Sequence, residues 1–209
     1  MKLYDCQMAP NPRRARIFIA EKGLSIPNVE VSILDGANLK PEYLAINPWG
    51  ALPALQLDDG TVIAEAPCIF RYLETLHPEP DLLGRDAIET ARIGAWERFA
   101  ELNGIGAIGE YFRNQFEPLA DRALPGYSGV KTLPALVERG RQRTAWFYQQ
   151  LERRLGETEY LAGDRYSAAD ITALCAVDFG NAIGLGTPEN CAEVRRWHGL
   201  VGARPGCKV

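Results

Sequence analysis

The chain has 209 residues, 46% hydrophobic and 24% charged, a globular balance that excludes a disordered or fibrous protein and leaves room for one or two domains. Its 23 Lys and Arg against 27 Asp and Glu give a net charge of −4 with no basic block, which argues against nucleic acid as a partner. No apolar run approaches the roughly 18 residues of a membrane span and the start is not a signal peptide, so a cytoplasmic protein off the membrane is expected.

Lys2 to Cys6 reads as a short strand. Asn11-Pro12 then looks like a helix start, since Asn caps a free N–H and proline suits the first turn. The helical pattern through Ile17, Phe18, Ala20 and Glu21 stops at Gly23. Val29, Val31 and Ile33 alternate at strand period, and Pro41 to Ile46 fits a short helix. Leu52 to Leu57 and Thr61 to Ala64 flank Asp58-Asp59-Gly60 as a hairpin. Ala66 to Leu76 is an amphipathic helix with Ile69, Tyr72, Leu73 and Leu76 on one stripe. His77-Pro78-Glu79-Pro80 cannot continue it and reads as a linker. Beyond the linker only helical spacing recurs, over Asp86 to about Phe116, Leu133 to Leu155, a helix opened by Ser167-Ala168-Ala169-Asp170 and a last one from about Glu189 to Ala203. The Ser167 and Asp170 pair has the form of a capping box. A small α/β unit over residues 1–80 followed by an all-helical unit over 86–209 is the expected organisation.

Two positions carry chemistry. Pro53 lies inside an apolar strand pattern, where proline is confined to edges or bulges unless its bond is cis. A cis bond would turn the Leu52 backbone outward for an extended peptide ligand. Otherwise Pro53 is an edge residue. Glu65 precedes a helix start at Ala66-Pro67, where free N–H groups bind anions. Carboxylate on the helix and ammonium on Glu65 would suit an α-amino-acid head group; alternatively Glu65 only favours the helix start. The 5 cysteines, Cys6, Cys68, Cys175, Cys191 and Cys207, are odd in number and form no C-x-x-C pair. With 2 histidines far from any Cys partner, no metal site is expected.

The chain resembles the cytosolic glutathione transferases over nearly its whole length. The resemblance rests on Ala9-Pro10-Asn11-Pro12-Arg13-Arg14 with Glu21-Lys22-Gly23-Leu24, on Pro41 to Leu55 through Asn47-Pro48-Trp49-Gly50, on Glu65-Ala66 with Arg71-Tyr72-Leu73-Glu74, and on Leu161-Ala162-Gly163-Asp164-Arg165-Tyr166-Ser167-Ala168-Ala169-Asp170-Ile171. It implies a thioredoxin-like N-terminal domain, an all-helical C-terminal domain, a homodimer, a cis Pro53, and glutathione as co-substrate without a metal. By the same resemblance the Leu52 backbone pairs with the cysteinyl unit of glutathione, Glu65 and the Ala66 amide hold the γ-glutamyl head, and Asn38 or Lys40 meets the glycyl carboxylate. Met8, Ala9, Tyr111, Phe112 and Phe116 would line the pocket for a small hydrophobic electrophile or peroxide, the aromatics being otherwise helix core.

Departures from the family pattern sharpen the expectation. Glu65-Ala66 stands where Glu-Ser is common, and no Tyr, Ser or Cys occupies the thiol position of the first loop. Asn11 is the remaining side-chain donor, which resembles a nu-like or theta-like active-site loop, with Ala9 where the nu class has Thr. A free thiol of pKa about 8.5 needs help to ionise near pH 7. Asn11 could supply it through its NH₂, with Arg13, Arg14 and Arg16 adding positive potential; its other role is helix capping. Gly104-Ile105-Gly106-Ala107-Ile108-Gly109 matches a dinucleotide fingerprint but lies within helix, so its glycines are expected to allow close packing. The expected function is a glutathione transferase in detoxification, with peroxide or disulfide reduction as a variant chemistry. The alternative is a non-catalytic ligand-binding or docking protein on the same fold.

Overall fold

In the computed structural model, which describes residues 1–209, β1 (Lys2–Asp5) runs parallel to β2 (Asn28–Glu30) and antiparallel to β3 (Ala54–Gln56). β3 pairs antiparallel with β4 (Val62–Ala64), so the sheet order is β2-β1-β3-β4. The strand side chains alternate between two faces. Leu3 and Leu55 enter the main core with α1 (Pro10–Glu21) and α3 (Ala66–Leu76), where Phe18 stacks on Phe70 at 4.4 Å. Tyr4 and Ala54 face a smaller cluster with Val31, Leu52 and Tyr43, the last carried by the short helix α2 (Pro41–Leu44). This thioredoxin-like unit precedes a helical domain.

That domain comprises α4 (Ala87–Phe99), a π-helical segment over Ala100–Ile105, α5 (Gly106–Arg113), α6 (Pro134–Leu155), α7 (Ala168–Ala182) and α8 (Ala192–Gly202). α7 is buried continuously from Ala168 to Val177 and joins its residues to those of α1 and α3 in one hydrophobic cluster. The connection between the halves is pinned by Lys22, whose ammonium donates to the carbonyls of His77 at 2.8 Å and Pro80 at 2.6 Å and pairs with Glu74 at 2.6 Å. At the head of α7, Asp170 accepts the Ser167 N–H at 3.0 Å as the capping pattern requires. The Ser167 hydroxyl donates to the same carboxylate at 3.1 Å.

Four expectations change. The first helix starts at Pro10, with Ala9 as the residue before it, so Asn11 lies inside the helix and is not its cap. The second strand is limited to 3 exposed residues, because Val31 and Ile33 leave the sheet to pack beneath α2. The long helix expected over 86–116 is interrupted by the π-helical segment. Of the fingerprint glycines, Gly104 is the one packed tightly against other helices within the chain. A Cβ there would lie 2.8 Å from Ala176 Cβ and the Phe147 ring, whereas one on Gly109 would meet nothing.

The proline- and glycine-rich loop between α5 and α6 docks on the α/β half. Arg122 donates to the carbonyls of Ile33 at 2.6 Å and Leu34 at 2.8 Å. Gly126, at φ 76°, lies so close to Trp49 that a Cβ would sit 2.1 Å from its carbonyl oxygen.

Candidate functional site

Tyr4 pairs with Ala54 and Ala54 with Ala64, so the exit of β1, the entry of β3 and the exit of β4 lie at one end of the sheet. The parallel pairing of Asp5 with Glu30 brings the exit of β2 to the same end. Residues 6–11, 31–40, 50–53 and 65–66 therefore converge there from four separate parts of the sequence.

The Leu52–Pro53 bond is cis, and the Leu52 N–H and C=O make no hydrogen bond within the chain. The preceding loop is held by the Ala51 carbonyl, which accepts from the Tyr43 hydroxyl at 2.6 Å and Asn47 Nδ2 at 2.8 Å. Leu52 thus presents one donor and one acceptor on a fixed backbone, the pattern an extended peptide needs. Glu65 is exposed at φ 69°, the single non-glycine residue at positive φ, and its carbonyl accepts from the Cys68 and Ile69 N–H groups, both at 3.0 Å. Pro67 has no N–H, which leaves the Ala66 N–H as the open donor at the start of α3 beside the Glu65 carboxylate.

Asn38 lies at this end with its amide nitrogen engaged by the loop before Pro53. It is 5% exposed, its Nδ2 donates to the Gly50 carbonyl at 2.8 Å, its Oδ1 is buried without a partner, and the residue lines a cavity of about 10 Å³ together with Arg113 and Arg122. Lys40, two residues on, is exposed.

Asn11 is half-buried near the start of α1, and its Oδ1 accepts from Arg14 at 2.9 Å while its Nδ2 has no partner in the chain. Each of the three nearby arginines is ion-paired. Arg13 pairs with Asp178 at 2.5 Å, Arg14 with Glu97 and Glu101 at 3.4 Å each, and Arg16 with Asp5 at 2.5 Å. Burial raises the Asp178 carboxyl, but the His198 hydrogen bond and Arg13 outweigh it and hold the group below its ordinary pKa. Cys6 is buried, and burial pushes its thiol up, away from the thiolate form.

Among the pocket candidates, Met8 is 82% exposed and Ala9 half-buried at the mouth of the first loop. Phe112 stacks on Phe116 at 4.7 Å and meets Phe179 of α7 edge-on at 5.5 Å, a cluster of three rings. Tyr111 belongs to another face. It lies one position from Phe112, about 100° around the helix, with its backbone against Gly140 and its ring under the Arg141 guanidinium at 5.9 Å. Its contacts are with α6. Residues missed in the sequence are Thr172, Glu97 and Glu101, which surround Arg14; no local pattern marks them. No group of three or more His, Cys, Asp and Glu is arranged to hold a metal ion, and no helix is long and apolar enough to cross a membrane.

Residues 9–76 match the family described as Glutathione S-transferase, N-terminal domain, and residues 118–205 match Glutathione S-transferase, C-terminal domain. A curated relative, Glutathione S-transferase 2 of Saccharomyces cerevisiae, is 35% identical over 213 aligned positions that cover 100% of this chain and 88% of the yeast protein. Among solved structures, Gtt2 from Saccharomyces cerevisiae superposes with a TM-score of 0.92 at 32% identity, covering 100% of this chain and 99% of the yeast chain. A glutathione S-transferase domain-containing protein of Marinobacter aquaeolei gives the same TM-score and identity over 99% of this chain and 100% of its own.

Proposed function

The chain belongs to the glutathione S-transferase family and is a glutathione transferase, and from that premise we propose how its own residues hold and activate the tripeptide. The backbone of Leu52, ahead of cis Pro53, receives the cysteinyl unit in an antiparallel pair of hydrogen bonds. Ala66 N–H takes the γ-glutamyl carboxylate at the positive end of α3, and Glu65 takes its ammonium. Lys40 meets the glycyl carboxylate by charge. Asn11 donates its NH₂ to the thiol sulfur and so favours the thiolate. The observation that carries this reading is the convergence at one sheet end of an unpaired Leu52 backbone, an open Ala66 N–H beside Glu65, and an Asn11 nitrogen with no partner.

The electrophile enters beside Met8 and Ala9 and rests against Phe112 and Phe116. A small hydrophobic electrophile, or a peroxide in a reductive variant, fits a wall without charge. In this reading the enzyme is a cytoplasmic homodimer serving detoxification, with residues 1–80 binding glutathione and residues 86–209 carrying much of the electrophile site.

Turnover with glutathione is to be measured on chlorodinitrobenzene, cumene hydroperoxide and hydroxyethyl disulfide, for the wild type and Asn11→Ala. The expected result is a loss in kcat of roughly 10-fold to 10²-fold, the scale of one preorganised donor, with glutathione affinity nearly unchanged. Undiminished turnover in Asn11→Ala assigns the thiolate to backbone amides instead. The best substrate of the panel decides between conjugation and reduction.

A further inference from the structure

Arg14 is an unusual residue to find inside a protein, 1% exposed with a permanent charge. Every edge of its guanidinium is engaged. Nε donates to Thr172 Oγ1 on α7 at 3.1 Å, one terminal nitrogen donates to Asn11 Oδ1 at 2.9 Å, and the other faces Glu97 and Glu101 carboxylates at 3.4 Å each. Its plane lies 5.7 Å from the Phe70 ring of α3. These partners come from the α/β half and from two segments of the helical half.

The contact with Asn11 has a chemical consequence. A primary amide has an oxygen that accepts and a nitrogen that donates, and the two ends are nearly equal in size, so shape alone does not choose between its two flips. A guanidinium has five N–H donors and no acceptor, and so tolerates only the oxygen of the amide. With the oxygen held at Arg14, the Asn11 nitrogen is the end left for a ligand.

We propose that Arg14 is a positioning residue for thiol activation: it fixes the Asn11 amide with its donor toward the glutathione sulfur, and Glu97, Glu101 and Thr172 of the helical half hold Arg14 for that task. The inference rests on the reading in which Asn11 donates to the thiolate. It adds that the donor is oriented from across the domain junction. Arg14 acts through Asn11 rather than on the sulfur, since its side chain is buried and its guanidinium is held by Thr172, Asn11, Glu97 and Glu101.

Removing Arg14 alone leaves Glu97 buried without its cation, which endangers folding. The test therefore uses Arg14→Gln in a Glu97→Gln background, where two amides replace the ion pair and the Gln offers Asn11 either a donor or an acceptor. Cooperative thermal unfolding verifies each protein. The readouts are the apparent pKa of enzyme-bound glutathione, followed by thiolate ultraviolet absorbance, and the pH profile of kcat. Asn11→Ala is expected to raise that pKa by about one to two units, each unit a tenfold loss of thiolate on the acid side. The Arg14 pair is expected to raise it by most of the same amount, with KM for glutathione within about threefold of wild type. Asn11→Ala added to the pair is expected to raise it no further.

Three outcomes overturn parts of the account separately. A pKa unmoved by Asn11→Ala removes the Asn11 reading itself. A pKa raised by Asn11→Ala but unmoved by the Arg14 pair leaves that reading standing and reduces Arg14 to an interdomain brace. Additive shifts show Arg14 acting on the thiol by its charge rather than through Asn11.

Discussion

Glu65 sets function against backbone comfort. Its φ of 69° is a region that residues with a Cβ rarely occupy, at a cost on the order of 1–3 kcal/mol. The return is placement, since this backbone puts a carboxylate next to the open Ala66 N–H at the start of α3. The two contributions separate by mutation. Glu65→Gln keeps the strained backbone and loses the charge, so glutathione affinity is expected to fall about tenfold with the melting temperature unchanged, a hydrogen bond to a charged group being worth ~1.5–3 kcal/mol. Glu65→Gly loses the charge and relieves the strain, so affinity falls as far while stability to urea rises by on the order of 1 kcal/mol. Calorimetric titration with glutathione and urea unfolding measure both. Equal stability of the two variants would show that the backbone carries no strain.

At the level of elements, the ends of helices and the loops between them do the positioning. The head of α7 depends on Asp170, fully buried, which accepts from the Leu161 N–H at 3.0 Å, the Trp197 indole N–H at 2.8 Å and the Ser167 N–H at 3.0 Å. Asp170→Ala leaves these three donors and the Ser167 hydroxyl without their acceptor, at ~1–3 kcal/mol for each buried group left unpaired. A loss of on the order of 3 kcal/mol or more in urea unfolding is expected, with the α7 contacts to α1 loosened. Burial pushes the Asp170 carboxyl up to about 6 against an ordinary 3.8. The folded protein thus holds this proton more tightly than the unfolded chain. Its contribution to stability is greatest below pH 3.8, declines as pH rises to about 6, and is constant above that. Stability curves over this window should lose that downward component in Asp170→Asn.

The loop between α5 and α6 is fixed differently, by a close backbone approach. Gly126→Ala would place a Cβ 2.1 Å from the Trp49 carbonyl at a φ of 76°. It should detach the loop from the α/β half, read as faster proteolysis between residues 117 and 133 and a lower melting temperature. Unchanged proteolysis would show that the docking at Trp49 is dispensable.

Across the whole molecule, ion pairs stitch segments that the sheet and helices leave separate. Arg165 joins Asp81 of the linker at 2.8 Å and also pairs with Glu89 of α4, and Arg204 near the C-terminus pairs with Glu21 of α1 at 2.6 Å. The hydrogen bond from Arg165 is the main cause that holds the Glu89 carboxyl down to about 2 from an ordinary 4.5. A depressed carboxylate stabilises the fold above its unfolded pKa and gives that up as pH falls through 4.5 toward 2. Acid unfolding followed by circular dichroism should therefore be shallower between pH 4.5 and 2 in Glu89→Gln, with the difference diminishing in high salt. An identical acid limb would assign the loss to other carboxylates.

Much of this was legible in the sequence, and for stated reasons. The helix over Ala66 to Leu76 has the bounds its apolar stripe and its proline neighbours set, because 3.6-residue periodicity and chain-stopping prolines act within a few residues. The Ser167 and Asp170 pair and the four strands follow from the same short-range chemistry, whereas spacing alone left Pro53 open between a cis bond and a strand edge and the family resemblance implied cis. Other features were decided only when distant segments met. The Asn38 amide met the Gly50 carbonyl across the loop, and the Tyr111 backbone met a glycine on α6. Asn11 became a half-engaged amide rather than a cap, because the helix began two residues earlier and Arg14 arrived at its oxygen. Arg13 and Arg14 found their acceptors 165 and 158 positions along the chain. A side chain's type and spacing state which hydrogen bonds it is able to make. Which of them it does make depends on what the fold brings within about 3 Å, and at these separations only tertiary packing sets that distance.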